Sequence, residues 1–150
     1  MTEKNQVNEA IATHLRPLGL WRRWEGVVGS GQPDWDYWLR RQHGWLEAKI
    51  LPASGNPPDH LTLEQILWAE EEVRWGGRWH LLGKRLAAGL KPAAWLLYDV
   101  AGARAWLDGT ANRPVLMVTG PFPRDALVEA LAPLGSSTIR DLPAARGTTG

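Results

Sequence analysis

The 150-residue sequence has no cysteine, which excludes disulfides, thiolate metal sites and a thiol nucleophile together. Phenylalanine (1) and tyrosine (2) are scarce beside 10 tryptophans, so the aromatic mass is almost wholly indole, suited to filling a core or to stacking. Neither sign of charge dominates: 17 Lys and Arg face 16 Asp and Glu, for a net +1. That balance excludes the large basic excess of a histone-like binder but leaves room for a local positive face beside an acidic metal site. No run approaches the ~18 apolar residues of a membrane span. The segment MTEKNQVNEA lacks the basic and apolar regions of a signal peptide, so we expect a soluble, intracellular protein. At 150 residues with 44% apolar content, one compact core is the default. We expect a single domain over 1–135 and, because 136–150 is rich in Ser, Thr, Gly, Pro and Ala, a flexible C-terminal tail.

Along the chain, Val7, Ile11, Leu15 and Leu18 recur at helical spacing, which predicts an amphipathic helix over 3–16 ending near Pro17 and Gly19. LWRRWEGVV (20–28), DWDYWL (34–39) and WLEAKI (45–50) read as strands, two of them joined as a hairpin through the polar RRQHG. LPASGNPPDH (51–60) is too rich in Pro, Gly and Asn to continue a sheet and reads as a loop. Thr62 with Gln65 three residues on is a capping box, and Leu61 and Ile66 stand where a hydrophobic staple places them. That predicts a helix over 63–75, stopped by Gly76-Gly77. Strands follow at 78–84 and 93–100, then a short helix or turn near 101–107 and a last helix at 124–134.

One strand carries chemistry. Alternate side chains share a face, so Trp45, Glu47 and Lys49 point one way while Leu46, Ala48 and Ile50 point into the core. Glu47 and Lys49 then lie about 7 Å apart at Cα, and Asp34 and Asp36 share a face of the preceding strand. Two or three carboxylates and one ammonium thus converge on rigid elements. Hard oxygen donors of this kind suit Mg²⁺ or Mn²⁺, which keep several waters and take their remaining ligands from substrate phosphate. Such an ion supplies what phosphodiester hydrolysis needs, a water of lowered pKa and a counter-charge for the phosphate, while the lysine orients the water or offsets developing charge.

Pro33-Asp34 followed by Glu47-Ala48-Lys49 resembles the PD-(D/E)XK nuclease signature. The resemblance implies Asp34 and Glu47 as metal ligands, the Ala48 carbonyl as a further ligand, and Lys49 as a catalytic residue. It favours Asp34 over Asp36, which the strand pattern alone leaves open. The order helix, three strands, helix, strand is similar to that family's core and implies an α/β, restriction-endonuclease-like fold with a central mixed β-sheet flanked by helices. More narrowly, GSGQPDWDYWL, GWLEAKI and HLTLEQILW together resemble the VRR-NUC branch and small phage nucleases of the Holliday-junction-resolvase kind, in which a Gln on the following helix joins the site; here that is Gln65. The resemblance covers about residues 5–100. It implies a Mg²⁺-dependent endonuclease acting on DNA, branched DNA first, in phage or bacterial recombination, repair or replication. The place of action would be the cytoplasm of a bacterial or phage-infected cell. Symmetric cleavage of two strands needs two sites, which a homodimer supplies. The rival expectation is a non-catalytic DNA-binding or assembly protein of the same fold.

The other charged and aromatic residues yield weaker expectations. His14, His43, His60 and His80 show no zinc-binding spacing. Arg22, Arg23, Arg40, Arg41, Lys84, Arg85 and Lys91 are candidates for tracking phosphates, and Trp35 or Trp38 for stacking on bases. Glu70-Glu71-Glu72 reads as an exposed helix face turned away from DNA.

Overall fold

The computed structural model describes residues 3–24 and 30–135. The expected tail at 136–150 and the second half of the first expected strand lie outside the described residues.

The first helix α1 (Glu3–Ala10) continues through a π-helical turn at Ile11–Leu15 and a 3₁₀ turn at Arg16–Leu18. Val7, Ile11 and Leu15 are fully buried, as their spacing requires; Leu18, past the helical run, is exposed. Three strands follow, β1 (Leu20–Arg23), β2 (Trp35–Leu39) and β3 (Gln42–Leu51). Helix α2 (Leu63–Arg74), β4 (Trp79–Arg85), β5 (Ala94–Tyr98), α3 (Val100–Asp108), β6 (Leu116–Thr119) and α4 (Arg124–Leu131) complete the chain.

Among the described residues the strands form one six-stranded sheet in sequential order, β1 to β6. Every neighbouring pair is antiparallel except β3 and β4, which run parallel because α2 carries the chain back across the sheet between them. The architecture is therefore an α/β mixed sheet flanked by helices, in the element order that the nuclease resemblance implies.

One face of the sheet packs Trp35, Tyr37, Leu46, Ala48, Leu82 and Leu97 against α1 and α4. The other packs Leu51, Leu81, Leu96 and Tyr98 against Ile66 and Ala69 of α2 and Ala103 and Trp106 of α3. At about 1.5–3 kcal/mol per fully buried large side chain, these two layers fix which face of β3 is core and which is left for other work. Among the described residues, no helix is long and apolar enough to cross a membrane.

Three features depart from the sequence expectation. The hairpin between β2 and β3 turns on Arg40 and Arg41 alone, both in the left-handed region at φ 49° and 63°, so Gln42, His43 and Gly44 belong to β3. Gly44 lies opposite Tyr37, whose ring occupies the space a side chain there would need, and the Tyr37 hydroxyl donates to the Leu131 carbonyl at 3.1 Å. The segment near 101–107 is a full helix, with Asp99 accepting from the Gly102 N–H at 2.9 Å and Gly109 closing it at φ 70°. Strand β6 was not foreseen: it has four residues, two of them exposed, too short a signal for a periodicity argument.

Candidate active site

Strand β3 outruns β2. Trp35 pairs with Leu46 and Leu39 with Gln42, so Glu47–Leu51 extend past the first residue of β2. The Trp45 N–H donates to Arg78 on the β4 side, and backbone groups alternate edge by edge along a strand. Ala48 therefore directs both its N–H and its C=O toward the β2 edge. There its N–H donates to Asp34 Oδ2 at 2.9 Å. Asp34 is held in turn through its own carbonyl, which accepts from the Trp24 N–H at 2.8 Å. The carboxylate of Asp34 and the backbone of Ala48 thus meet where the ladder ends.

Glu47 and Lys49 lie on the α2 face of β3 and are buried, at 2% and 3% exposure. Lys49 Nζ is 3.1 Å from Glu47 Oε2 and donates to the His60 carbonyl at 2.9 Å. Gln65 Nε2 donates to the same Glu47 oxygen at 3.1 Å. The Gln65 Oε1 accepts from the Thr62 N–H at 3.1 Å, while Thr62 Oγ1 accepts from the Gln65 N–H at 3.2 Å. The capping box and the contact with Glu47 are therefore simultaneous, since the amide oxygen serves the helix start and the amide nitrogen serves the carboxylate. The loop before Asp34 also seats against α2: Gly31, at φ 77°, passes so close to the Glu64 carbonyl that no side chain fits there.

Asp36 has a different role. Its carboxylate takes Arg22 Nε at 3.0 Å and Arg22 Nη2 at 2.5 Å, Trp24 Nε1 at 2.9 Å and His43 Nε2 at 2.9 Å. Burial pushes its pKa up, but the hydrogen bonds from Arg22, His43 and Trp24 prevail and hold it below the usual carboxylate range. The Arg22 guanidinium is raised by the same hydrogen bond and by the attraction of the Asp36 charge.

The structure thus brings together Asp34, Glu47, Ala48, Lys49 and Gln65 and sets Asp36 in a neighbouring network. Two participants were not foreseen, the His60 carbonyl that orients Lys49 and the Arg22–Trp24–His43 set around Asp36. A backbone carbonyl has no signature in sequence, although the left-handed backbone of His60, φ 65°, is what turns it toward the lysine. Of the stacking candidates, Trp35 is buried at 3% exposure, with Asn8 accepting from its indole N–H at 3.0 Å, so it offers no face to a base. Trp38, at 44%, does. Glu70 of the acidic run pairs with Arg104 of α3 at 2.6 Å, tying the two helices.

Among the described residues, no three His, Asp or Glu side chains are grouped closely enough to cage a metal. Asp34, Glu47 and the Ala48 carbonyl are nevertheless a fitting donor set for a hard divalent cation that keeps waters and completes its shell with substrate oxygens. They do not fit a closed zinc site.

No family model matches the sequence, and no curated protein matches it. Among solved structures, the chain is similar to that of Hjc from Archaeoglobus fulgidus, a Holliday junction resolvase from an archaeal hyperthermophile. The similarity spans 97% of each chain at 14% identity with a TM-score of 0.46. At that identity and score the likeness decides nothing about chemistry, which rests on the side chains themselves.

Proposed function

We propose that this chain is a divalent-metal-dependent nuclease that hydrolyses DNA phosphodiester bonds, selective for branched DNA. The observation that carries the reading is the buried Lys49–Glu47 pair, 3.1 Å apart, closed on one side by Gln65 and set beside the Asp34–Ala48 edge. Burying two charges is costly, and a packed apolar pair would serve stability as well; a site that handles charge gives the pair a purpose.

Asp34 and Glu47, with the Ala48 carbonyl, would hold Mg²⁺ or Mn²⁺, which when bound supplies an activated water and a counter-charge to the phosphate. Lys49, directed by the His60 carbonyl, orients the attacking water and stabilises negative charge developing on the phosphate. Gln65 fixes Glu47 through one amide hydrogen, leaving its other for the water or a phosphate oxygen.

The test is cleavage of end-labelled four-way junction and linear duplex in Mg²⁺, in EDTA and with Lys49→Ala. Junction cleavage should be lost in EDTA and fall about 100-fold or more with Lys49→Ala, the scale of losing one charge-stabilising donor. Cleavage that survives unchanged in either condition would refute the mechanism, and equal rates on junction and duplex would refute the selectivity.

A further inference from the structure

The sheet face that carries Glu47 and Lys49 does not end at the candidate site. Along β3 the same face bears His43 and Trp45; across the ladder Asp36 pairs with Trp45 and Trp38 with His43, and beyond them Leu20 pairs with Trp38 and Arg22 with Asp36. Among the described residues α2 packs over β4 and sets Trp68 against Trp45 at 5.0 Å, and α3 packs over β4 and β5; beyond Trp45, the β1–β2 end of this face carries exposed side chains. Its exposed rings are Trp38 at 44% and Trp24 at 39%. His43 lies 5.0 Å from Trp38 and 5.6 Å from Trp45, and Trp24 lies 6.2 Å from Trp45, so the rings form a supported ladder rather than isolated side chains.

Two cationic groups flank these rings. Arg22 is held by both oxygens of Asp36, yet its side chain is 52% exposed. Arg41 is exposed at the hairpin tip, three residues after Trp38 and two before His43 in the chain. The tip is built from two arginines in left-handed conformations, a backbone that Asn-Gly would adopt without strain. Uncommon backbone of this kind persists where another demand outweighs it. From His43 to Glu47 is four residues, about 13 Å along the strand, the length of about four stacked nucleotides at ~3.4 Å each.

We infer that this face is a stacking platform for an unpaired DNA strand, set on the same side of the sheet as Glu47 and Lys49, which lie beyond Trp45. The inference rests on the nuclease reading for its purpose and narrows the substrate to DNA with single-stranded character next to the scissile bond. Rings that stack on any base, interleaved with arginines that meet phosphates, are the chemistry of sequence-tolerant single-strand binding. An aliphatic protein partner would leave Arg41 unmatched and would cover the exposed side of Arg22, which shares its charge with Asp36.

The test is fluorescence anisotropy of the full chain with a labelled 12-nucleotide oligo(dT), a blunt duplex and oligo(U), all in EDTA so that binding is read apart from cleavage. Trp38→Ala should weaken oligo(dT) binding about fivefold or more, the low end of one base–aromatic stack, change duplex binding less than twofold and leave the melting temperature unaltered. Trp38→Phe should restore most of the loss, and Arg41→Ala should reduce the slope of affinity against salt. Equal oligo(dT) affinity for wild type and Trp38→Ala, or an equal loss on duplex, would overturn the platform. Tighter binding of oligo(U) than oligo(dT) would overturn DNA as its ligand, and a dimer in light scattering that Trp38→Ala abolishes would show the face to be covered by a second copy. Absence of cleavage in Mg²⁺ alongside single-strand binding sensitive to Trp38 would refute the nuclease reading and leave the platform standing.

Discussion

Replacing Glu47 by Gln keeps the shape of the side chain and an acceptor for Gln65 but removes the charge 3.1 Å from a lysine that is 3% exposed. The ammonium then keeps only the dipole of the His60 carbonyl at 2.9 Å as a described partner. The loss of one partner of a buried pair is about 3–5 kcal/mol, so Glu47→Gln should destabilise by about 3–4 kcal/mol at pH 7. Lys49→Met strands the carboxylate instead and should cost a similar amount. A fully apolar double variant, Glu47→Leu with Lys49→Met, should lie within about 1 kcal/mol of the wild type or above it, since an apolar replacement for a buried pair is often neutral or stabilising. Urea unfolding followed by tryptophan fluorescence at pH 7 measures all of these. If Glu47→Gln costs under ~0.5 kcal/mol, the two charges do not depend on each other and the argument from the buried pair fails.

Two further predictions concern the metal and the sheet. With a millimolar-affinity site, 10 mM Mg²⁺ should stabilise the native chain by about 1.4 kcal/mol and raise the melting temperature by about 3–6 °C; scanning fluorimetry should show that Glu47→Ala removes the rise, and an identical rise in that variant would count against Glu47 as a ligand. On β4, burial lowers the pKa of His80 to about 4, with Asp99 opposing and Arg78 adding to the shift. The unfolded chain therefore takes up the proton first, so the His80 contribution is whole above pH ~6.5 and is lost as pH falls toward 4, up to about 3 kcal/mol. His80→Leu should flatten the fall in unfolding free energy between pH 7 and 4.5; an unchanged slope would show that another group titrates there.

What could be read in advance was mostly local. The α2 capping box needs only Thr62 and Gln65 three residues apart, and both of its hydrogen bonds form; the α1 stripe needs only its spacing. The face shared by Glu47 and Lys49 follows from the period of a strand. The choice between Asp34 and Asp36 is of another kind, since both have the same parity and differ only in what lies across the sheet. Arg22 reaches Asp36 because β1 pairs with β2 in one particular register, and Ala48 reaches Asp34 because β2 stops one residue short. Registers are set by the packed core as a whole, so neither contact is written in any short stretch. The hairpin misled for the same reason: His43 and Gly44 look like turn residues, but Gly44 is there for the Tyr37 ring, and the turn falls to two arginines that carry no turn signature.

The loop from Pro52 to Thr62 looks like mere connection, yet both ends of the site hang from it. Its His60 carbonyl aims Lys49, and two residues later Thr62 fixes the amide that braces Glu47. A shift of this span therefore moves the ammonium and the amide together. The pair behaves as one part with a single adjustment, so changes in a stretch that bears no catalytic side chain of its own can retune chemistry on the strand beside it.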